Sequence, residues 1–266
     1  MTKIRTFPTS EKIENVLSRL PPREVSGFIR DAIIEKIKSE PQVVILCGGL
    51  GTRLYPITKK TPKSMILING KPFLLHQVEL LKKNGIRDIV LCVGHMADQI
   101  KNYFGNGSKF GVRISYGDPK NAKYDMGGVI KSAEKLLADR FFIMYGDSYL
   151  PIDFRKVMDD FLIRKKKGLM AVWKNFDKYD KSNVDVKNGL VTVYNNGAPG
   201  TTYIDYGLSI LDRSVIEQMP NKTKFHLGEV FKALIQKNEL TAYEVDQRFY
   251  EIGSFDGLKD FEGMIS

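Results

Sequence analysis

The chain has 266 residues, 42% of them hydrophobic and 27% charged, which suits one large α/β domain with a small appendage. No apolar run approaches the ~20 residues of a membrane-spanning helix, and the first residues lack the apolar segment of a signal peptide, so we expect a cytoplasmic protein. The two cysteines, Cys47 and Cys92, lie in apolar runs and indicate buried thiols, while the net charge of +10 is compatible with nucleic acid, anionic membranes or phosphorylated substrates.

Residues 1–40 have a helical pattern of their own. Thr9 and Ser10 can cap a helix over 11–20, two prolines end it, and a second helix fits 23–39. Apolar residues recur at helical spacing along this second helix. We therefore predict a helical appendage over 1–40 and a separate domain over 41–266.

The appendage also resembles a known DNA-binding family. Residues 25–33 are similar to the second helix of ribbon-helix-helix proteins, and residues 4–8 stand where the ribbon would be. The groove-facing places would hold Ile4 and Thr6, a poor DNA-reading face. The resemblance therefore favours a homo-oligomer, with nucleic-acid binding not expected; packing of the segment on the chain's own core stays open.

From residue 41 onward, strands and helices alternate. The β-α-β-α-β rhythm predicts a Rossmann-like, mostly parallel mixed sheet flanked by helices, and Asn188-Gly189 indicates a type I′ hairpin after the parallel part. The predicted strands are 43–47, 88–93, 111–116, 140–145, 168–173, 182–186, 190–194, 203–211 and 240–246. The predicted helices are 72–84, 95–104, 127–138, 153–166, 212–218, 226–238 and 255–265.

A glycine-rich loop, residues 48–53, follows the first predicted core strand. Its glycines let backbone N–H groups approach a phosphate, Arg53 adds a forked donor, and Lys63 adds a second positive charge ten residues on. The spacing fits neither a Rossmann fingerprint nor a P-loop, since Leu54 stands where the fingerprint needs glycine. The predicted nucleotide-binding residues in this region are Cys47, Gly48, Gly49, Gly51, Thr52 and Arg53.

A second candidate site lies at the end of strand 140–145. Gly146 and Asp147 follow this apolar strand directly, and ligands in open α/β sheets bind at the carboxyl ends of strands. A carboxylate there is costly unless it is paired or metal-bound. Asp147 is thus a candidate metal ligand, with a helix N-cap as the alternative.

These motifs together resemble a known family. The stretch CGGLGTRLYPITKKTPKSMILINGKPFLLHQVELLKKNGI is similar to the signature of the sugar-phosphate nucleotidyltransferases, which include glucose-1-phosphate thymidylyltransferase and mannose-1-phosphate guanylyltransferase. Weaker resemblance runs from about residue 42 to the C-terminus. It implies the nucleotide-diphospho-sugar transferase fold, with the glycine loop around the nucleotide phosphates. It also implies that Arg53 binds the leaving pyrophosphate and that Lys63 contacts the reacting phosphate, both in catalytic roles.

The same resemblance implies Mg²⁺ as cofactor. The family's Asp at the place of Asp147 holds the metal and counts as catalytic, and Glu251 stands where the family usually has a second metal-binding Asp. The extra methylene of Glu suggests a shifted backbone or a water-mediated contact.

Several positions depart from the family pattern. Met126 stands in the place of a threonine before Gly127 and Gly128, which remain candidate nucleotide-binding residues, and Asn196 stands in the place of a lysine. Asp205 and Tyr206 replace an Asn-Ala pair near the sugar. We expect substrate-binding roles for Gly146, Asp205 and Tyr206, although Asp205 fits a strand-edge position equally well. The changes resemble a bacterial subgroup near the heptose- and mannose-1-phosphate guanylyltransferases.

The expected function is transfer of a nucleotidyl group from a nucleoside triphosphate to a sugar 1-phosphate, releasing pyrophosphate. The three histidines form no convincing catalytic set, and none is needed, because a sugar phosphate with a second pKa near ~6 is already ionised at neutral pH. Two alternatives stay open. One is a nucleotide-sugar-binding regulator with weak or lost turnover; the other is the same chemistry on a non-sugar phosphate such as phosphocholine.

Overall fold

The structure, a computed structural model, describes residues 10–117, 126–195, 200–219 and 226–266, without the side chains of residue 12 and residues 32–39. The chain divides into two compact units, Met1–Glu40 and Pro41–Ser266. The ribbon-like stretch 4–8 lies outside the described residues, as does Asn196.

The first unit contains two helices, α1 (Glu11–Leu17) and α2 (Pro22–Ser39). Both predicted helices are confirmed, although α1 ends three residues early. Pro22 occupies the first helical position of α2, where its missing N–H costs nothing and its fixed φ suits the helix. Ile13, Val16 and Phe28 are each about half exposed. The described part of this unit therefore does not bury its own apolar side chains.

The second unit is built on a mixed sheet. Across its described residues, nine strands pair in the order β5-β4-β1-β6-β11-β8-β12-β10-β9, and two short two-stranded ribbons pair β7 with β13 and β2 with β3. The strands are β1 (Gln42–Leu46), β2 (Leu67–Ile68), β3 (Lys71–Pro72), β4 (Asp88–Cys92), β5 (Arg113–Gly117), β6 (Arg140–Tyr145), β7 (Ser148–Tyr149), β8 (Gly168–Lys174), β9 (Val184–Lys187), β10 (Leu190–Tyr194), β11 (Tyr203–Asp212), β12 (Leu240–Val245) and β13 (Tyr250–Glu251).

The parallel strands set the position of the site. β5, β4, β1 and β6 are mutually parallel, with Leu46 level with Cys92 on one side and with Tyr145 on the other. Their carboxyl ends therefore meet at one edge of the sheet. β11 runs antiparallel to both β6 and β8, so β8 points the same way as β6. The expected mostly parallel sheet with an antiparallel addition is confirmed.

Helices cover both faces of this sheet. They are α3 (Phe73–Lys83), α4 (Ala97–Phe104), α5 (Met126–Ser132), α6 (Phe154–Arg164), α7 (Arg213–Glu217), α8 (Leu227–Gln236) and α9 (Phe255–Ile265). One core joins β-strand residues to α3, α4 and α6, and another joins them to α5, α7 and α8. A third cluster packs the ring of Phe261 on α9 against Phe73, with ring centroids 5.0 Å apart. No described helix has the length and apolarity needed to cross a bilayer.

Two local predictions can be compared directly. Asn188 and Gly189 both have positive φ, 52° and 73°, as the predicted type I′ turn between β9 and β10 requires. The predicted helix 127–138 is too long: α5 ends at Ser132, and a separate 3₁₀ turn covers Glu134–Leu136. The ribbons β2–β3 and β7–β13 were not predicted, because two-residue strands are too short to show a periodicity.

Candidate functional site

The glycine loop leaves the carboxyl end of β1 and packs against the neighbouring loop after β4. A Cβ on Gly94 would lie 3.1 Å from the carbonyl oxygen of Gly48, so the two backbones approach too closely for a side chain. Gly49 is exposed, and a Cβ there would meet nothing within 4 Å. The loop thus has a fixed base and an open tip. No motif in the sequence distinguishes Gly94, because its role depends on the approach of another loop.

The loop then folds back towards Lys63. Gly51 has φ 63°, and the hydroxyl of Thr58 donates a 2.8 Å hydrogen bond to its carbonyl oxygen. A Cβ on Gly51 would lie 3.2 Å from Cβ of Lys63. Glycine is therefore required here both by the left-handed backbone and by the close packing.

Lys63 and Asp147 form the central ion pair of the site. The Lys63 ammonium donates to Oδ2 of Asp147 over 2.5 Å, and the two side chains are only 16% and 27% exposed. Lys63 begins a 3₁₀ turn after Pro62, and Asp147 follows β6 at the carboxyl edge of the sheet. Two residues singled out independently in the sequence are thus in contact.

Glu251 lies directly beside this pair. It faces Ser148 in the β7–β13 ribbon, and the backbone N–H of Ile252 donates to the carbonyl oxygen of Asp147 over 2.9 Å. Its own carboxylate turns towards the following loop, with Oε2 accepting a 2.8 Å hydrogen bond from the N–H of Gly253. The longer side chain of Glu is therefore accommodated by folding back over its own loop.

Arg53 completes this group. A Cβ placed on Gly253 would lie 2.9 Å from Nη2 of Arg53 and would clash with Glu251, so the guanidinium packs over a glycine that leaves room for it. Arg53 itself is exposed. The structure therefore brings together Arg53, Lys63, Asp147 and Glu251, two cations and two carboxylates, at the carboxyl edge of the sheet.

The other predicted nucleotide-binding residues differ in accessibility. Thr52 is exposed at the start of the 3₁₀ turn Thr52–Leu54. Gly127 and Gly128 are buried in the first turn of α5, whereas the preceding Met126 is 45% exposed. The side chain of Cys47 is buried and bonds to the carbonyl oxygen of Ile45. Burial raises its pKa well above the ordinary range, so the thiol stays neutral. Only the backbone of Cys47 remains available to a ligand.

Two of the predicted substrate-binding residues, Gly146 and Tyr206, are packed tightly within the protein. The N–H of Gly146 bonds to the carbonyl oxygen of Leu46 over 3.0 Å, and a Cβ on Gly146 would lie 2.6 Å from that same oxygen. Tyr206 is 1% exposed, and its ring packs against Phe249. The Tyr206 ring is therefore part of the core, and a substrate-binding role of Tyr206 stays a prediction for its backbone atoms.

Asp205 is engaged within the protein. Its Oδ2 accepts hydrogen bonds of 3.1 Å and 3.2 Å from the hydroxyls of Tyr145 and Tyr194, and its Oδ1 accepts a 2.9 Å bond from the N–H of Gly207. Burial raises the pKa of this carboxyl, and the three donors partly offset the rise. Oδ2 thus has partners on β6 and β10, and Oδ1 has a partner two residues on in β11, where the register with β8 shifts.

The residues at this edge fit a magnesium ion. Among the described residues, no three His, Cys, Asp or Glu side chains form a metal-binding group. Mg²⁺ does not need one, because it is commonly held by one or two carboxylates together with waters and substrate phosphates. Asp147, in the turn between β6 and β7, and Glu251, on the strand that pairs with β7, are two hard oxygen donors next to the exposed glycine loop.

Comparison with known proteins identifies the family. The nucleotidyl transferase family description matches residues 42–263. The chain belongs to the nucleotidyl transferase family. This nucleotidyl transferase is 32% identical over 214 residues to the D-glycero-alpha-D-manno-heptose 1-phosphate guanylyltransferase of Campylobacter jejuni, covering 80% of this chain and 94% of the relative. It is 28% identical over 223 residues to the protein of the same name from Aneurinibacillus thermoaerophilus, covering 82% and 95%.

A solved structure agrees with this assignment. HddC from Yersinia pseudotuberculosis, complexed with GMP-PN, superimposes with a TM-score of 0.71 at 26% identity, covering 85% of this chain and 100% of that one. The expected nucleotide-diphospho-sugar transferase fold is confirmed. The match to the family description begins at residue 42, so the family assignment concerns the second unit.

Proposed function

We propose that this nucleotidyl transferase joins the nucleotidyl group of a nucleoside triphosphate to a sugar 1-phosphate, giving a nucleoside diphosphate sugar and pyrophosphate. The observation that carries the proposal is the contact between Lys63 and Asp147 beside the open glycine loop. Phosphoryl and nucleotidyl transfer need charge neutralisation and positioning more than proton transfer. This cluster supplies charges of both signs where a triphosphate can reach them.

The individual residues have distinct proposed roles. The exposed tip of the loop at Gly49 lets backbone N–H groups approach the phosphates. Arg53, exposed beside it, binds the pyrophosphate that leaves, and Lys63 neutralises charge on the reacting phosphate. Asp147 and Glu251 would hold Mg²⁺, which when bound supplies positive charge and orients the phosphate oxygens. The attacking sugar phosphate needs no general base.

We further propose guanosine triphosphate as the nucleotide. Two relatives with most of their length matched are named heptose 1-phosphate guanylyltransferases, and the HddC structure contains GMP-PN. A uridylyltransferase and a cytidylyltransferase are also 28% identical to this chain, so the nucleobase requires a direct test.

The test is a panel assay with the full chain. Pyrophosphate release is measured for each of four nucleoside triphosphates with each of several sugar 1-phosphates, mannose and heptose among them, with and without Mg²⁺. We expect release only when both substrates and Mg²⁺ are present, fastest with GTP, and a nucleotide sugar of the expected mass. Nucleotide binding without pyrophosphate release from any pair would instead favour a regulator, and release with phosphocholine alone would favour a non-sugar acceptor.

A further inference from the structure

Gln77 is a polar residue in the most apolar part of helix α3. It is 0% exposed, and its helical neighbours Leu74, Val78 and Leu81 are all core residues. Burying an amide in such surroundings is unfavourable unless its hydrogen bonds are made. The two acceptors of its NH₂ group explain why a Gln is compatible with this position, while its Oε1 is buried without a hydrogen-bond partner among the described residues.

Those partners lie on either side of Asp147. Nε2 of Gln77 donates a 2.9 Å hydrogen bond to the carbonyl oxygen of Tyr145 and a 2.7 Å bond to the carbonyl oxygen of Ser148. Both partners are acceptors, so only the NH₂ group of the amide can face them, and its orientation is fixed. One side chain thus closes the four-residue turn 145–148 that carries Asp147.

The rest of this turn is held by backbone bonds. The N–H of Gly146 donates to the carbonyl oxygen of Leu46, and the carbonyl oxygen of Asp147 accepts from Ile252. Each of the four residues 145–148 therefore has a backbone group in a hydrogen bond to another element. Two of these bonds come from the side chain of Gln77. They are therefore the bonds that a substitution can remove.

We propose that Gln77 is a positioning residue that holds the Asp147 carboxylate in its metal-binding and phosphate-facing orientation. This inference rests on the proposed function, because it concerns the Asp147 that would hold Mg²⁺. Gln77 itself is buried and makes no contact with substrate. Without it, the turn keeps its backbone bonds to Leu46 and Ile252 but loses both bonds to α3, so the orientation of the carboxylate relative to Lys63 is less constrained.

The test compares Gln77→Met with Gln42→Met. Gln42 is a suitable control because it is also a buried Gln, 4% exposed, with Nε2 bonded to Asp88 and to the carbonyl oxygen of Leu136, and Oε1 accepting from the N–H of Ala138. It begins β1, at the opposite edge of the sheet from Asp147. Its loss destabilises the fold without changing the turn 145–148.

Two measurements separate positioning from stability. Thermal unfolding reports stability, and binding of Mn²⁺, followed by loss of the free-ion electron paramagnetic resonance signal with a non-hydrolysable GTP analogue present, reports the metal site. We expect Gln77→Met to weaken Mn²⁺ binding by ~10–100-fold and to lower kcat similarly, in line with the loss of outer partners of metal ligands. Gln42→Met should lower the melting temperature but leave Mn²⁺ affinity and kcat near those of the wild type.

The outcomes distinguish the two proposals. Equal Mn²⁺ affinity and kcat in the two Gln variants would overturn the positioning role while leaving the proposed function intact. A wild-type chain that neither binds Mn²⁺ with the analogue nor releases pyrophosphate would remove the proposed function and this inference with it. If Gln77→Met does not fold, Gln77→Asn is the substitute, because its shorter side chain keeps the amide but cannot reach both carbonyl oxygens.

Discussion

Lys63 and Asp147 are 84 residues apart in the chain, and the ammonium of one lies 2.5 Å from the carboxylate of the other. The contact joins the loop that follows β1 to the end of β6. Both side chains are mostly buried, which strengthens their attraction relative to a pair in open water. We propose that a lysine held in this way neutralises the negative charge of a phosphate bound by the glycine loop.

This arrangement predicts strong effects of removing either cation. We expect Lys63→Ala and Arg53→Ala each to lower kcat for pyrophosphate release by ~10²–10³, the usual cost of losing a donor that acts on developing charge. Lys71→Ala is the control, because Lys71 forms a 3.0 Å ion pair with Glu79 that is about half exposed. An exposed pair contributes little, so this variant should retain wild-type kcat. Wild-type kcat in both Lys63→Ala and Arg53→Ala would contradict the assigned roles.

Gly49 offers a test of phosphate approach that is independent of charge. A Cβ at Gly49 meets nothing within 4 Å, and the residue does not have the positive φ of Gly51. Gly49→Ala should therefore leave the melting temperature unchanged. We expect a higher KM for the nucleoside triphosphate, because the added methyl group lies where backbone N–H groups must meet phosphate oxygens.

The control for this prediction is Gly263→Ala. Gly263 also has open space around its Cβ position, but it lies in helix α9. Alanine is favoured over glycine within a helix, so this variant should be slightly more stable with an unchanged KM. A KM that is the same in both variants would show that the loop tip does not approach the nucleotide.

Much of the fold was predictable because its signals are local. The strands β1, β4 and β6 are continuous apolar runs, and the turn at Asn188-Gly189 has a specific chemistry, so both were placed within one or two residues. The end of α5 was misplaced because apolar residues continue through the 3₁₀ turn that follows, and periodicity does not separate the two kinds of helix.

The site was predictable only in part. Arg53, Lys63, Asp147 and Glu251 could be selected by residue type and motif, but their mutual contacts depend on pairings between distant segments. Gln77 could not be selected, because a Gln within an apolar helix has no functional signature until its two carbonyl partners are seen. The burial of the Tyr206 ring could not be predicted either, since sequence position alone does not reveal which way a strand residue faces.

The metal prediction concerns the two carboxylates. We expect Asp147→Asn to abolish most Mg²⁺-dependent turnover without unfolding the protein. Glu251→Gln keeps an amide oxygen for the N–H of Gly253 but removes the charge, so it should raise the Mg²⁺ concentration needed for half-maximal rate. A rate titrated against Mg²⁺ measures this directly. If Glu251 serves only its own loop, the Glu251→Gln titration will coincide with that of the wild type.

Asp205 predicts a specific dependence of stability on pH. Its pKa is raised in the folded state, chiefly by burial, above the ~3.9 of an unfolded chain. The folded state therefore binds more protons than the unfolded state between these two pKa values, and the contribution of Asp205 to stability falls as pH rises through the folded pKa. In Asp205→Asn this loss is absent, so the stability of the variant should rise relative to that of the wild type as pH increases above the unfolded pKa of ~3.9.

Asp212 supplies a control, because its pKa is shifted in the opposite direction to that of Asp205. Burial would raise its pKa, but hydrogen bonds from Ser214 and the nearby Lys167 outweigh burial and lower it. Its contribution is present above the unfolded pKa and lost as pH falls through the folded pKa. Asp212→Asn should therefore lose stability relative to the wild type as pH rises towards the unfolded pKa of ~3.9, and change little above it. Urea unfolding at several pH values measures both differences, and a fall in the stability of Asp205→Asn relative to the wild type as pH rises above about 4 would contradict the sign for Asp205.

The last prediction concerns the first unit. We propose that residues 1–38 self-associate, so that the full chain is a homo-oligomer. A chain that lacks these residues should then be a monomer. Ile13, Val16 and Phe28 are about half exposed, and a two-helix unit of this size cannot bury them by itself. The deletion ends before β1 begins at Gln42, so the sheet and its two cores remain complete. Light scattering should give a multiple of 30.2 kDa for the full chain and a single copy for the truncated chain.

A point substitution in the first unit tests the same self-association without removing any backbone. Phe28→Ser in the full chain should also shift the equilibrium towards the monomer. A full chain that measures 30.2 kDa itself, together with poor solubility after truncation, would show that the segment covers its own chain and that self-association is wrong.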